Sequence, residues 1–171
     1  MNIRLATLED IEPIMQLIRD VVPLMQATGN QQWDATYPNP DIFSQDIEAS
    51  QLWVADLDNS IVGVIAITNS QEGEYAQVPG WDITEPAIVA HRLAVSPHHQ
   101  GKGIAAALLH QCEVVAQVQG VTLLRLDTNT LNRPMQNLFM KIGYHLAGEI
   151  ALNNRPNQRF LAFEKRLSAA Q

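Results

Sequence analysis

An apolar run from Ala87 to Val95 passes through Ser96-Pro97-His98-His99-Gln100-Gly101-Lys102-Gly103 straight into a strongly helical stretch that ends at Gln119. Gly120 stops that helix, and a second strand-like run, Thr122–Asp127, follows at once. Strand, loop, helix, strand is one crossover unit, and it requires a sheet in which two strands run parallel. All-helical and purely antiparallel folds are thereby excluded.

The flanking segments predict what surrounds this unit. Asn2–Ala6 reads as a strand, and Thr7 caps a helix, with Asp10 completing an imperfect capping box. Ile11, Met15, Ile18 and Val22 form one helical stripe, and Pro23 ends or kinks that helix. Gly29–Pro40 is a loop and Asp41–Ala49 a short helix; Leu52–Asp56 and Ile61–Thr68 are strands joined by a turn at Asp58-Asn59-Ser60. Ser70–Glu85 reads as an exposed polar loop. Asn132 caps a later helix with Pro134 in its first turn, Met135, Leu138, Phe139 and Ile142 on its apolar side and Gly143 at its end. Tyr144–Ile150 and Arg159–Glu164 close the chain as two strands. The expectation is an α/β fold: a single-domain mixed sheet with helices on both faces, spanning residues 1–171.

Composition narrows the class. Apolar residues make up 46% of the chain, enough for a real core, and no apolar run reaches the ~18 residues of a membrane helix. Cys112 stands alone, which excludes a disulfide framework and a cysteine-based zinc site. The first ten residues turn acidic without a signal-peptide core, so the cytoplasm is the expected location. The net charge of −7 argues against nucleic acid as the main partner. Its distribution is uneven: residues 1–90 hold 14 acidic and 2 basic side chains, residues 91–171 hold 4 acidic and 9 basic. Either surface charge fell so by chance, or one half suits a cationic ligand and the other an anionic one.

The loop at 96–103 gives the second alternative its content. Its glycines let backbone N–H groups converge, and the helix that follows adds positive partial charge, which together form a cradle for phosphate. A bare strand-to-helix turn is the competing reading. A magnesium–nucleotide loop is excluded because Ile104 stands where its hydroxyl should be. A dinucleotide fold is disfavoured because five residues, Ser96 to Gln100, separate the strand from the first glycine.

Two blocks carry a resemblance. Gln100-x-x-Gly103-x-Ala105, after Leu93-Ala94-Val95 and Ser96-Pro97, resembles the acetyl-CoA-binding signature of the GCN5-related N-acetyltransferase (GNAT) family. Asn132-x-x-Met135-x-x-Leu138-Phe139-x-x-x-Gly143-Tyr144 is similar to that family's second block, and the order of elements matches over essentially the whole chain. The resemblance implies acetyl-CoA as co-substrate, with its pyrophosphate on the backbone of Gln100, Gly101, Lys102, Gly103, Ile104 and Ala105. It implies that the pantetheine arm pairs like an added strand with Leu93 and Val95, and that Asn132 contacts the arm near the thiol. The strand at 87–95 is expected to splay from its parallel neighbour, Thr122–Asp127, leaving the acetyl group a gap.

The implied reaction is attack by a neutral primary amine on the thioester, the acceptor being a small molecule, an amino acid or a peptide. It needs a base for the ammonium proton and often an acid for the departing sulfur. The resemblance places the base at His91, which either serves so or simply fills a strand position beside Arg92. Glu85 is a weaker candidate. The family's acid, a tyrosine, is replaced by Phe139, which keeps open a non-catalytic acyl-CoA-binding module as the alternative function, and Tyr144 does not stand in its place. Trp33, Tyr37, Tyr75 and Trp81 are candidates for lining the acceptor pocket, or they cap the core. No metal is expected, since His98 and His99 lack further ligands. The expected partners are acetyl-CoA and an amine, without nucleic acid or membrane, and a homodimer is compatible with the sequence.

Overall fold

The computed structural model describes residues 1–168, so the last three residues of the expected 1–171 domain lie outside the described residues. Seven strands form one mixed sheet: β1 (Asn2–Leu5), β2 (Leu52–Leu57), β3 (Ser60–Thr68), β4 (Ile88–Val95), β5 (Leu123–Asn129), β6 (His145–Ile150) and β7 (Phe160–Arg166). Their spatial order is β1-β2-β3-β4-β5-β7-β6. Among the described residues four α-helices accompany them: α1 (Ile11–Ala27), α2 (Pro40–Glu48), α3 (Ile104–Gln119) and α4 (Arg133–Lys141). Two compact units share these elements: residues 1–68 with 90–111, and residues 69–89 with the rest, so that β4 and α3 each contribute to both.

In the first unit, β1, β2 and β3 form an antiparallel meander, with Ile3 opposite Ala55 and Val54 opposite Val64. Asp58 and Asn59 turn the hairpin with φ of 52° and 63°, the left-handed values that its tight two-residue connection requires. Ile14, Leu17 and Ile18 are the buried residues of α1 and join Trp33, Phe43, Leu52 and Val54 in the core. Met15 and Val22 of the expected stripe pack, partly buried, against the same core, so Ile14 and Leu17 widen that stripe rather than replace it. The helix is apolar over a wide arc, and what it packs against selects the buried part. Pro23 does not end α1, which continues to Ala27. Arg19 and Pro23 are both exposed, so the carbonyl freed by the missing N–H lies on the hydrated face.

In the second unit, β5 pairs antiparallel with β7 from Leu123↔Arg166 to Asn129↔Phe160, and β6 pairs with the far edge of β7. The start of β4 supplies the parallel partner of β5, through Ile88↔Leu124 and Val89↔Arg125. The segment expected as an exposed loop, Ser70–Glu85, departs most from its sequence reading. It holds a 3-10 turn, Gly73–Gln77, and Tyr75 and Val78 are fully buried with Val89, Ile150 and Phe160. Its polar residues hid two apolar anchors. Gln77 exchanges two hydrogen bonds with the backbone of Ala151, at 3.0 and 3.1 Å, which completes the attachment.

Candidate active site

The first unit presents β4, the glycine loop and the start of α3 as one continuous edge. Past Val95 the chain stays in register because the Ser96 N–H donates to the Val62 carbonyl at 2.9 Å. A 3-10 turn, Pro97–His99, then folds back on itself: the His99 N–H donates to the Ser96 carbonyl, and His99 Nδ1 lies 3.1 Å from Ser96 Oγ. His99 therefore staples the loop, and His98 is exposed. Gly101 and Gly103 both adopt φ of +75°, which only glycine takes without strain. A Cβ at either position would meet nothing within 4 Å. The space above both glycines is therefore open, and the first N–H groups of α3 have no partners within the helix. This arrangement fits a pyrophosphate.

α3 is seated by a glycine that the sequence reading passed over. A Cβ on Gly63 of β3 would lie 2.9 Å from both Ile104 Cγ2 and Leu108 Cδ1, so any larger residue would force these side chains of the helix to shift. Ile104 and Leu108 are buried, as expected from their spacing.

Within β4, Arg92 has φ of +52°, a left-handed value in mid-strand. A non-glycine residue held so costs about 1–3 kcal/mol and persists only where its surroundings over-determine it. Here Arg92 Nε and Nη2 donate to the two carboxylate oxygens of Asp46 at 2.8 and 2.7 Å, and Nη1 donates to the Tyr37 hydroxyl at 3.2 Å. Burial opposes the guanidinium charge, yet Tyr37 and Asp46 hold its pKa above the ordinary arginine value. His91, Leu93 and Val95 flank this residue, each half-buried.

The second unit holds Asn132, Phe139 and Tyr144. Asn132 occupies the cap position just before α4, but its side chain makes no capping bond; its Nδ2 donates to Thr128 Oγ1 at 3.1 Å. Gln136 instead reaches back to the carbonyls of Asn129 and Thr130 at 3.2 and 2.9 Å. Phe139 is 3% exposed and meets Phe163 edge-on at 5.3 Å between ring centroids. Burial pushes the Tyr144 phenol well above its ordinary pKa, with Cys112 and Glu113 adding to it. Phe139 has no proton to give, and the Tyr144 phenol, 4% exposed, is buried in the core with its proton retained.

The sequence profile described as the acetyltransferase (GNAT) family matches residues 17–144. The chain belongs to this family. The uncharacterized N-acetyltransferase YesJ of Bacillus subtilis is 26% identical over 166 residues, covering 96% of this chain and 89% of its own. A GNAT-family acetyltransferase of Streptococcus agalactiae superposes with a TM-score of 0.84 at 27% identity, covering 98% of this chain and 95% of the other. The PaiA N-acetyltransferase of Thermoplasma acidophilum, solved in complex with coenzyme A, shares the fold with a TM-score of 0.71 at 17% identity, over 97% of this chain and 98% of its own.

In this acetyltransferase the weaker base candidate is already occupied. Glu85 receives two hydrogen bonds from Arg166, at 2.7 and 3.0 Å, and that guanidinium holds its carboxyl below the ordinary range. The aromatic candidates divide. Trp33 is 5% exposed inside the core, and Tyr37 is engaged by Arg92. Tyr75 is fully buried and donates to Asp127 Oδ2 at 2.7 Å, while Trp81 packs under the Arg125 guanidinium at 4.2 Å. Burial pushes the Asp127 carboxyl up to about 6; the Tyr75 hydroxyl pulls the other way, and Glu72 and Glu74 add to the rise.

The sequence reading missed Asp46, Arg92 and the pairing of Tyr75 with Asp127. A polar residue on the inner face of the short helix, Asp46 beside Phe43, was the one available signal. Among the described residues no group of three or more histidine, cysteine or acidic side chains could hold a metal, and no helix is long and apolar enough to cross a membrane.

Proposed function

We propose that this acetyltransferase moves the acetyl group of acetyl-CoA onto a primary amine of a small molecule, an amino acid or a peptide. The glycine cradle carries the reading. Gly101 and Gly103 are left-handed, the space above them is open, and a helix starts directly behind. In this proposal Gln100 to Ala105 bind the pyrophosphate, the backbone of Leu93 and Val95 pairs with the pantetheine arm, and Asn132 contacts the arm near its sulfur. The coenzyme A held by the PaiA structure supports the choice of donor.

His91 accepts the ammonium proton, and the freed nitrogen lone pair attacks the thioester carbon. A C–N bond forms, the C–S bond breaks with its electron pair leaving on the CoA sulfur as a thiolate, and the nitrogen loses its second proton to solvent to give the neutral amide. With Phe139 and Tyr144 sealed in the core, the sulfur departs without a side-chain acid, as a thiolate of moderate basicity can. We assign the whole chain to one catalytic domain working in the cytoplasm.

Calorimetry with CoA, together with a library of amines screened for thiol release from acetyl-CoA, tests the reading. Binding at micromolar concentrations and release on at least one amine are the expected results. Binding without release on any amine would mark a non-catalytic module, the reading that Phe139 favours. For the base, His91→Ala should lower the rate most at pH values below the acceptor's own pKa and recover above it. A uniform drop at every pH would make His91 a packing residue.

A further inference from the structure

We propose that Asp46, acting through Arg92, is a positioning residue for acetyl-CoA: it holds the left-handed turn in β4 and thereby aims the backbone of Leu93–Val95. The inference rests on the cofactor reading above but concerns a residue 46 positions away in the chain.

A regular strand directs its N–H and C=O groups alternately to its two edges. One residue at φ of +52° rotates the peptide that follows, and every group up to the next fixed point is re-aimed. That fixed point is close: the Ser96 N–H is already bonded to Val62. The deviation is therefore confined to the stretch that would pair with the pantetheine arm.

Glycine would adopt this conformation without support, whereas Arg92 needs its clamp. The clamp is stiff. Asp46 sits on the buried face of α2, whose start is capped by Asn39 accepting from the Ile42 N–H at 3.0 Å. The two ionic side chains are only 12% and 8% exposed. A buried ion pair adds little net stability over an apolar pair of the same volume, so its value here is geometric. The Tyr37 hydroxyl fixes the remaining guanidinium nitrogen and removes the freedom to rotate.

The decisive experiment compares glycine with alanine at position 92 once the clamp is gone. CoA affinity is measured by calorimetry for the wild type, Asp46→Ala, Asp46→Ala/Arg92→Gly and Asp46→Ala/Arg92→Ala. Backbone amide shifts of Leu93 and Val95 are recorded for each, and folding is checked by circular dichroism. Asp46→Ala should weaken CoA binding at least tenfold and shift both amides. The glycine double variant should regain most of that loss and return the amide shifts toward wild type; the alanine double variant should do neither. If Asp46→Ala does not fold, the two double variants still decide, and the glycine form should bind at least tenfold more tightly.

Equal affinity of the two double variants, or a folded Asp46→Ala protein with wild-type affinity, would overturn the proposal. A wild-type protein that binds no CoA would overturn the cofactor reading instead. The amide shifts alone would then show whether the clamp sets the backbone, and shifts unmoved by Asp46→Ala would overturn it.

Discussion

Neighbouring strands each carry an arginine with a well-covered side chain, and the two are used differently. Arg92 of β4 sits on a left-handed backbone and is gripped by Asp46 and Tyr37. Arg125 of β5 sits in a regular strand, 2% exposed, and its guanidinium donates to Glu164 at 3.0 Å, Gln71 at 2.7 Å and the Asp82 carbonyl at 2.9 Å. The first arginine bends a strand edge that leads to open space. The second fastens the 70–85 segment onto the sheet and closes it with the Trp81 ring. The same ionic chemistry holds a left-handed strand residue in one unit and seals a packed surface in the other. What distinguishes them is the backbone beneath, not the charge.

Arg125→Ala provides the largest expected effect, and it should appear in stability. Glu164, Gln71 and the Asp82 carbonyl would lose their shared donor, and stranding a buried carboxylate costs about 3–5 kcal/mol. Urea unfolding should show that loss, with CoA affinity of the folded fraction nearly unchanged. A loss below about 1 kcal/mol would break the contrast between the two arginines.

Gly103→Val tests the other unit, where the effect should appear in binding. No protein atom opposes the new side chain, but the space it fills is the proposed pyrophosphate seat. Calorimetry should show CoA affinity falling roughly thirtyfold, about 2 kcal/mol. The left-handed backbone should add a stability loss of about 1–2 kcal/mol. Unchanged affinity in a folded variant would remove the cradle from the account.

Phe139→Leu should cost about 1 kcal/mol of stability through lost contact with Phe163 and leave turnover within a few-fold of wild type. A hundredfold slower, well-folded variant would show that the ring shapes the acyl site and does more than fill the core.

The smallest effect sharpens the comparison through pH. Asp127 titrates near 3.8 when unfolded and at about 6 in the folded chain. Between those values the folded state keeps a proton that the unfolded state has released, so stability falls as pH rises through the window. Asp127→Asn lacks this group and should lack the fall. Its stability relative to wild type should therefore improve from pH 4 to pH 6.5 in parallel urea titrations. A constant difference would mean that Tyr75 holds Asp127 ionised throughout.

The sequence by itself determined the order of strands and helices, the crossover, the two-glycine loop ahead of α3 and the absence of an acid at position 139. Each of these is carried by short-range chemistry: residue periodicity within an element, φ freedom at glycine, a hydroxyl present or missing. Tertiary structure alone decided what depends on distant partners. The unexpected turn at Arg92 exists because Asp46 and Tyr37 arrive from elsewhere in the chain. Tyr75 is buried in a segment that reads as a polar loop because Asp127 accepts its hydroxyl. Gly63 matters only because Ile104 and Leu108 land on it. Which arc of α1 is buried, and why Pro23 is tolerated, follow from the face that the rest of the unit leaves to water. Local chemistry is written in neighbouring residues; a long-range pair becomes visible only when the fold has closed the loop between its members.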